Sequence, residues 1–231
     1  MNAATHRSQI KTFSAFDEWV NTPFQGITNA FCWQRNLDGD FSEIAARLQL
    51  KADITEISAE DLLVLQLTEK GNRARETILN DLKLLTGIGA CPVLNLLKCY
   101  ERDKEFSIIS TDVYSFHADR SPIAADTFLC TYHGAAGDIL PNDQAVQKIL
   151  VPEIREKLKR LHHVQSESFD AFLKEHFFDL HYQAKPHARP INLGNGQLWR
   201  LAVEHPHQQV LPCIHRAPVE NKGENRLLLI C

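Results

Sequence analysis

Apolar residues recur at helical spacing through most of the first ninety positions. Asp40 can cap a helix over 41–48 that turns Ile44 and Leu48 to one side. Ser58-Ala-Glu-Asp61 reads as a capping box ahead of Leu62, Leu63 and Leu65. The plainest helix runs over 72–85, with Ile78, Leu82 and Leu85 on one face and Gly87 and Gly89 closing it. The aromatic residues Phe13, Phe16, Trp19, Phe24, Phe31 and Trp33 supply anchors for this N-terminal part, behind a loose polar stretch at 1–12. The pattern predicts a helical N-terminal layer over 1–90.

The pattern changes after Pro92. Short runs rich in β-branched, apolar or aromatic residues predict strands at 93–100, 107–116 and 127–132. A helical interruption follows. Residues 151–164 space Ile154, Leu158 and Leu161 among charges, and 168–180 carry Phe169, Phe172, Leu173 and Phe177. Strands resume at 197–203, 209–214 and 226–231, with 192–196 as a tight hairpin turn. There is no internal repeat and no long linker. The expectation is an α+β single domain over 1–231. Its 91–231 part forms an antiparallel sandwich or barrel with a helical insert at about 143–185.

Composition narrows the setting. The chain has 231 residues, 44% hydrophobic and 23% charged, as in ordinary globular proteins. A net charge of −4 offers no basic field for nucleic acid or an anionic membrane. No stretch reaches the apolar length of a bilayer span, and residues 1–11 are polar with no signal-peptide core. Six cysteines form no C-x-x-C, so a reduced, cytoplasmic protein is expected. Loops of the G-x-x-x-x-G-K-[ST] and G-x-G-x-x-G types, the G-x-S-x-G elbow and H-E-x-x-H are all absent.

The eleven histidines are the unusual feature, because imidazole is the commonest metal ligand. His117 and Asp119 end a predicted strand, where positions i and i+2 share a face and can converge on one ion. His215 is the best second imidazole. Two His and one carboxylate form the facial triad of non-haem Fe(II) oxygenases, with the opposite face open. A His–Asp hydrogen-bonded pair is the alternative for His117 and Asp119. A zinc site built from Cys213 and His215 is the rival for the late segment. Arg226 opens the last strand, and its guanidinium fork matches a carboxylate.

An H-x-D, a distant His and an Arg on the next strand resemble the pattern of 2-oxoglutarate-dependent oxygenases. The resemblance implies a double-stranded β-helix, a jelly-roll or cupin-like barrel. It implies Fe(II) on His117, Asp119 and His215, and 2-oxoglutarate with its distal carboxylate on Arg226. A closer resemblance covers about 90–231. The strings Ser115-Phe-His-Ala-Asp-Arg-Ser-Pro122, Asp126-Thr-Phe-Leu-Cys-Thr-Tyr-His-Gly134, Asp138-Ile-Leu-Pro-Asn142 and Ile214-His-Arg-Ala-Pro218 are similar to an uncharacterised bacterial family, domain of unknown function 1826. Gly134-Ala-Ala-Gly137 carries one small residue more than that pattern.

Within these blocks Tyr132, next to Thr131, is a candidate for the co-substrate carboxylate. Asn142 is a candidate substrate contact or turn residue. Arg120 and Arg216 each follow a candidate ligand and point away from it, toward substrate or second-sphere roles, and Cys213 can share a face with His215. The remaining histidines read as surface, turn or core residues: His6, His133, His162, His163, His176, His181, His187, His205 and His207. His176 and His181 flank a helix end, five apart and off a common face.

The functional expectation is an Fe(II)- and 2-oxoglutarate-dependent oxygenase of hydroxylase type, acting on a small molecule or a protein. The alternative is a non-redox barrel binding zinc or another divalent ion, for metal handling or as a binding module. A third reading is a metal-free barrel used for protein interaction.

Overall fold

The computed structural model describes residues 8–104, 108–162 and 168–231. His6, His163, the first residue of the 107–116 segment and the end of the 151–164 segment lie outside them. Among the described residues no helix is long and apolar enough to cross a membrane, and all six cysteines are free.

The first part of the chain runs β1 (Ile10–Phe13), α1 (Phe16–Asn21), β2 (Ala30–Trp33), α2 (Phe41–Arg47), β3 (Ile54–Ile57), α3 (Ala59–Leu63) and α4 (Glu69–Gly87). The expected caps form. Asp40 accepts from the Glu43 amide at 3.0 Å, and Ser58 and Asp61 make the reciprocal capping box. Helix α4 starts earlier than its apolar spacing suggests, because Thr68 caps it by accepting from the Gly71 amide. Its buried face carries Ala74, Ile78, Asp81 and Leu85. The three short strands were not predicted. Each has only four residues, too few to show a period of two against the helical background.

The second part runs β4 (Val93–Leu97), β5 (Asp126–His133), β6 (Asp138–Ile139), β7 (Ala145–Gln147), α5 (Pro152–Leu161), α6 (Phe169–Glu175), β8 (Tyr182–Ala184), β9 (Ile191–Asn192), β10 (Leu198–Ala202), β11 (His215–Arg216) and β12 (Arg226–Ile230). Seven strands form one sheet in the order β1-β2-β10-β5-β12-β4-β3, with only β1 and β2 parallel. A smaller sheet has the order β11-β6-β9, and β7 pairs with β8. The fold class is mixed α+β.

Strand alternation divides the large sheet into two faces. Phe128, Cys130, Tyr132, Leu227 and Leu229 pack with Trp19, Ile44, Ile78 and Leu85 of the helices. Leu129, Trp199, Leu201 and Leu228 on the opposite face pack with Ile139, Leu193 and Cys213, which belong to or border the small sheet. The two sheets thus enclose a second apolar layer, and the candidate chemistry sits at its edge.

Three expectations are corrected. Residues 108–116 form turns, because Ile109 is drawn into a separate cluster with Ile149, Leu158, Phe172, Leu173 and Phe178 of the insert. Residues 209–214 are irregular, and strand pairing begins only at His215. The 192–196 turn is not a hairpin. β9 pairs with β6 and β10 with β2 and β5, so the turn carries the chain from one sheet to the other. Gly194 and Gly196 take left-handed φ of 69° and 79° to make that change of direction.

Candidate metal centre

Three histidines lie side by side across the edge of the small sheet. His117 and His215 exchange backbone hydrogen bonds of 2.9 and 2.8 Å. On its other side His117 opposes His181, framed by Tyr182 N–H to Phe116 C=O and Ala118 N–H to Leu180 C=O. Residues directly opposite in antiparallel pairs project to the same face, so the three rings form a row. Ring centroids are 4.6 Å apart for His117 and His215, and 5.9 Å for His117 and His181.

Two rings of the row are held by backbone carbonyls. His117 Nδ1 lies 2.8 Å from the Ser115 carbonyl, and His215 Nδ1 lies 3.3 Å from the Cys213 carbonyl. A carbonyl only accepts, so each Nδ1 carries the proton and donates it. That leaves the Nε2 lone pairs facing Asp119. His117 Nε2 is 3.7 Å from Asp119 Oδ1, and His215 Nε2 is 3.6 Å from Asp119 Oδ2. Both separations are below about 4.2 Å, twice an ordinary metal–ligand length. The three side chains form a group with all ligand atoms within 4.8 Å of one another.

The electrostatics favour the same state. Burial, reinforced by the neighbouring charge of His215, pushes the His117 imidazole down to about 4. It is therefore neutral at pH 7, as a metal ligand must be. Burial tends to raise the Asp119 carboxyl. His215, a hydrogen bond from the Thr127 hydroxyl and His117 outweigh it, and the group is lowered. The donor set of two imidazoles and one carboxylate fits a divalent ion with an open face.

His117, Asp119 and His215 line a cavity of about 130 Å³ together with Tyr100, Leu129 and Arg226. Arg226 is only 5% exposed. Its Nη2 donates to Thr131 Oγ1 at 3.0 Å, and its Nε finds no hydrogen-bond partner among the described residues. Burial lowers this guanidinium, and Tyr100 and Glu220 act against that lowering.

The other sequence candidates go elsewhere. Tyr132 is on the helix face of β5, not in the cavity, and its hydroxyl donates to Asp81 Oδ2 at 2.6 Å. Asn142 is part of a polar clasp, accepting from Asn29 and donating to the Pro212 carbonyl. Arg120 is tied to Asp179 and Glu204, and Arg216 pairs with Asp138 and lies over the Phe116 ring. Cys213 contributes its carbonyl to His215, and burial pushes its thiol up. The group of converging ligand atoms does not include it.

Sequence reasoning missed Thr127 as the partner of Asp119 and gave Tyr132 the place that Thr131 occupies. Period-two alternation was the available signal: Thr127, Leu129 and Thr131 share one face of β5. It also missed His181, whose approach to His117 depends on a single bridge that no local pattern announces. Comparisons of the chain with models of known families, with curated proteins and with solved structures returned no match.

Proposed function

We propose that this chain is a non-haem Fe(II) oxygenase dependent on 2-oxoglutarate, built on a double-stranded β-helix. The order of strands supports the fold. From β4 onward the chain visits the large sheet, the His117 segment, β5, β6, β9, β10, β11 and β12, passing back and forth between the sheets. Eight segments in two facing four-stranded layers are the pattern of a jelly roll.

His117, Asp119 and His215 would hold the metal and leave one face open to exogenous ligands. The observation that carries the reading is Arg226, a buried guanidinium in the same small cavity whose hydrogen bonds go to the Thr131 and Tyr100 hydroxyls, with Glu220 acting on it only at longer range. Such a group is costly to bury and well suited to take a carboxylate. A cavity of about 130 Å³ is far smaller than a drug-sized pocket. It suits a compact oxoacid anchored at Arg226 and reaching the metal. Leu129, Leu228 and Ile230 on its wall keep water from that contact. When bound, iron and the oxoacid supply the oxidising chemistry: O2 is consumed as 2-oxoglutarate is decarboxylated to succinate and a substrate is oxidised.

Anaerobic titration tests this. With Fe(II) present, 2-oxoglutarate should raise a visible metal-to-ligand charge-transfer band at one equivalent per chain. Arg226→Met should weaken 2-oxoglutarate binding more than tenfold and leave Fe(II) binding intact. A three-ligand site with an open position also suits zinc. Stoichiometric zinc that 2-oxoglutarate does not perturb would replace this proposal with the non-redox one.

A further inference from the structure

The segment between β6 and β9 reaches the metal centre through His181, in the row of rings, and through Lys148. Lys148 stands in the short turn after β7. Its Nζ donates to Ser115 Oγ at 2.5 Å. Ser115 is the residue whose carbonyl accepts the Nδ1 proton of His117 at 2.8 Å. The Lys148 backbone is fixed at the same place, since its N–H donates to the His181 carbonyl at 2.8 Å. The preceding residue, Gln147, donates to the Asp179 carbonyl at 2.8 Å. His181 in turn faces His117 across the strand pair. A lysine from a distant segment thus grips the peptide that sets a ligand's tautomer.

Ser115 needs such a grip. Residues 108–116 form no regular strand. The Ser115 N–H donates to the Asp112 carbonyl at 3.1 Å and the Phe116 carbonyl accepts from the Tyr182 N–H at 2.8 Å, but neither bond is to the Ser115 carbonyl itself. A carbonyl on an irregular segment can turn away from an imidazole. The ring can then carry its proton on either nitrogen, and the form protonated on Nε2 cannot bind a metal through that atom.

We propose that Lys148 is a positioning residue of the metal centre: through Ser115 it holds His117 in the tautomer and aim that ligation requires. The proposal rests on the metal-site reading above. It makes the inserted segment a working part of the centre instead of a cover laid over it.

Two measurements test it separately. Two-bond 1H–15N correlation spectra of the metal-free protein at pH 8 report the tautomer of His117. The Nδ1–H form should dominate in the parent protein, and both forms should appear in Lys148→Met. Co(II) titration then reads affinity. Lys148→Met and Ser115→Ala, which keeps the carbonyl, should each weaken Co(II) about tenfold. The double variant should be no weaker than either single one, because both remove the same link. Lys148→Arg, which keeps a donor, should restore most of the affinity. Parental affinity and an unchanged tautomer in Lys148→Met, or additive losses in the double variant, would overturn the assignment. If the parent protein itself fails to bind Co(II), the metal reading falls, and the tautomer spectra still decide whether Lys148 positions His117.

Discussion

Thr131 and Tyr132 are neighbours on β5, yet one serves the cavity and the other the helix layer. Thr131 supports Arg226, while Tyr132 completes a buried set in which Arg35 grips Asp81 with bonds of 2.6 and 2.7 Å and Tyr132 adds a third. Tyr132→Phe should therefore cost about 2 kcal/mol of stability, the value of a hydrogen bond to a charged group. It should leave Fe(II) and 2-oxoglutarate affinity unchanged, and denaturant melts beside the anaerobic titration check both. The candidate ligands His117 and Asp119 were legible, because H-x-D on an extended segment is a local pattern. The row of rings also sets a pH dependence in the metal-free protein. Burial pushes His181 down to about 3 and His117 to about 4, from an ordinary 6.5. The unfolded chain thus takes up protons at these sites at a higher pH than the fold does. Their contribution to stability is complete above pH 6.5 and drains away as pH falls from there toward about 4. Each site adds a slope approaching 1.4 kcal/mol per pH unit within that window. Urea melts between pH 7.5 and 5.5 should show it, and His181→Asn should flatten it. An equal slope in that variant would remove His181 from the account.

Most elements of five residues or more were visible in the sequence, α1 excepted, and shorter ones were not. β4, β5, β10 and β12 are dense runs of apolar and β-branched residues, each paired along most of its length. β6, β9 and β11 have two residues each, and the His117 and His181 pairings are single bridges. No periodicity can be read from two positions. Their partners are set by what lies across the sheet. Gly137, just before β6, shows how close that fit is, since a Cβ there would stand 2.6 Å from the Arg216 carbonyl oxygen. The strand carrying His215 can lie where it does because that position is glycine. The helical insert expected at 143–185 is an element-scale matter as well. Its helices pack into their own cluster, and its β8 end and Lys148 support His117 from behind.

At the scale of the whole chain, the large sheet turns one face to the helix layer and the other toward the cavity and the small sheet. The helix layer buries Trp19, Ile44, Ile78 and Leu85 against the first face, without touching the cavity. A metal held at the other face binds the folded state alone, so it should stabilise the entire chain. At a hundred times its Kd, Fe(II) or Zn(II) should add about 2.7 kcal/mol. For a protein of this size that amounts to a rise of about 5–10 °C in melting temperature. Scanning calorimetry with and without metal checks it, and the rise should vanish in His117→Ala. The passage of successive strands between the sheets has one more consequence. Thr131 and Arg226 meet across 95 positions, and His117 faces His215 over a similar span. Pairings of such long range close slowly, after the local helices have formed. During synthesis, which proceeds from the N-terminus, the first imidazole and the carboxylate emerge about a hundred residues ahead of their partners. On the proposed reading, the nascent chain has two of the three ligands and no oxoacid anchor until β11 and β12 have left the ribosome. Metal loading would then mark a chain that has already finished folding.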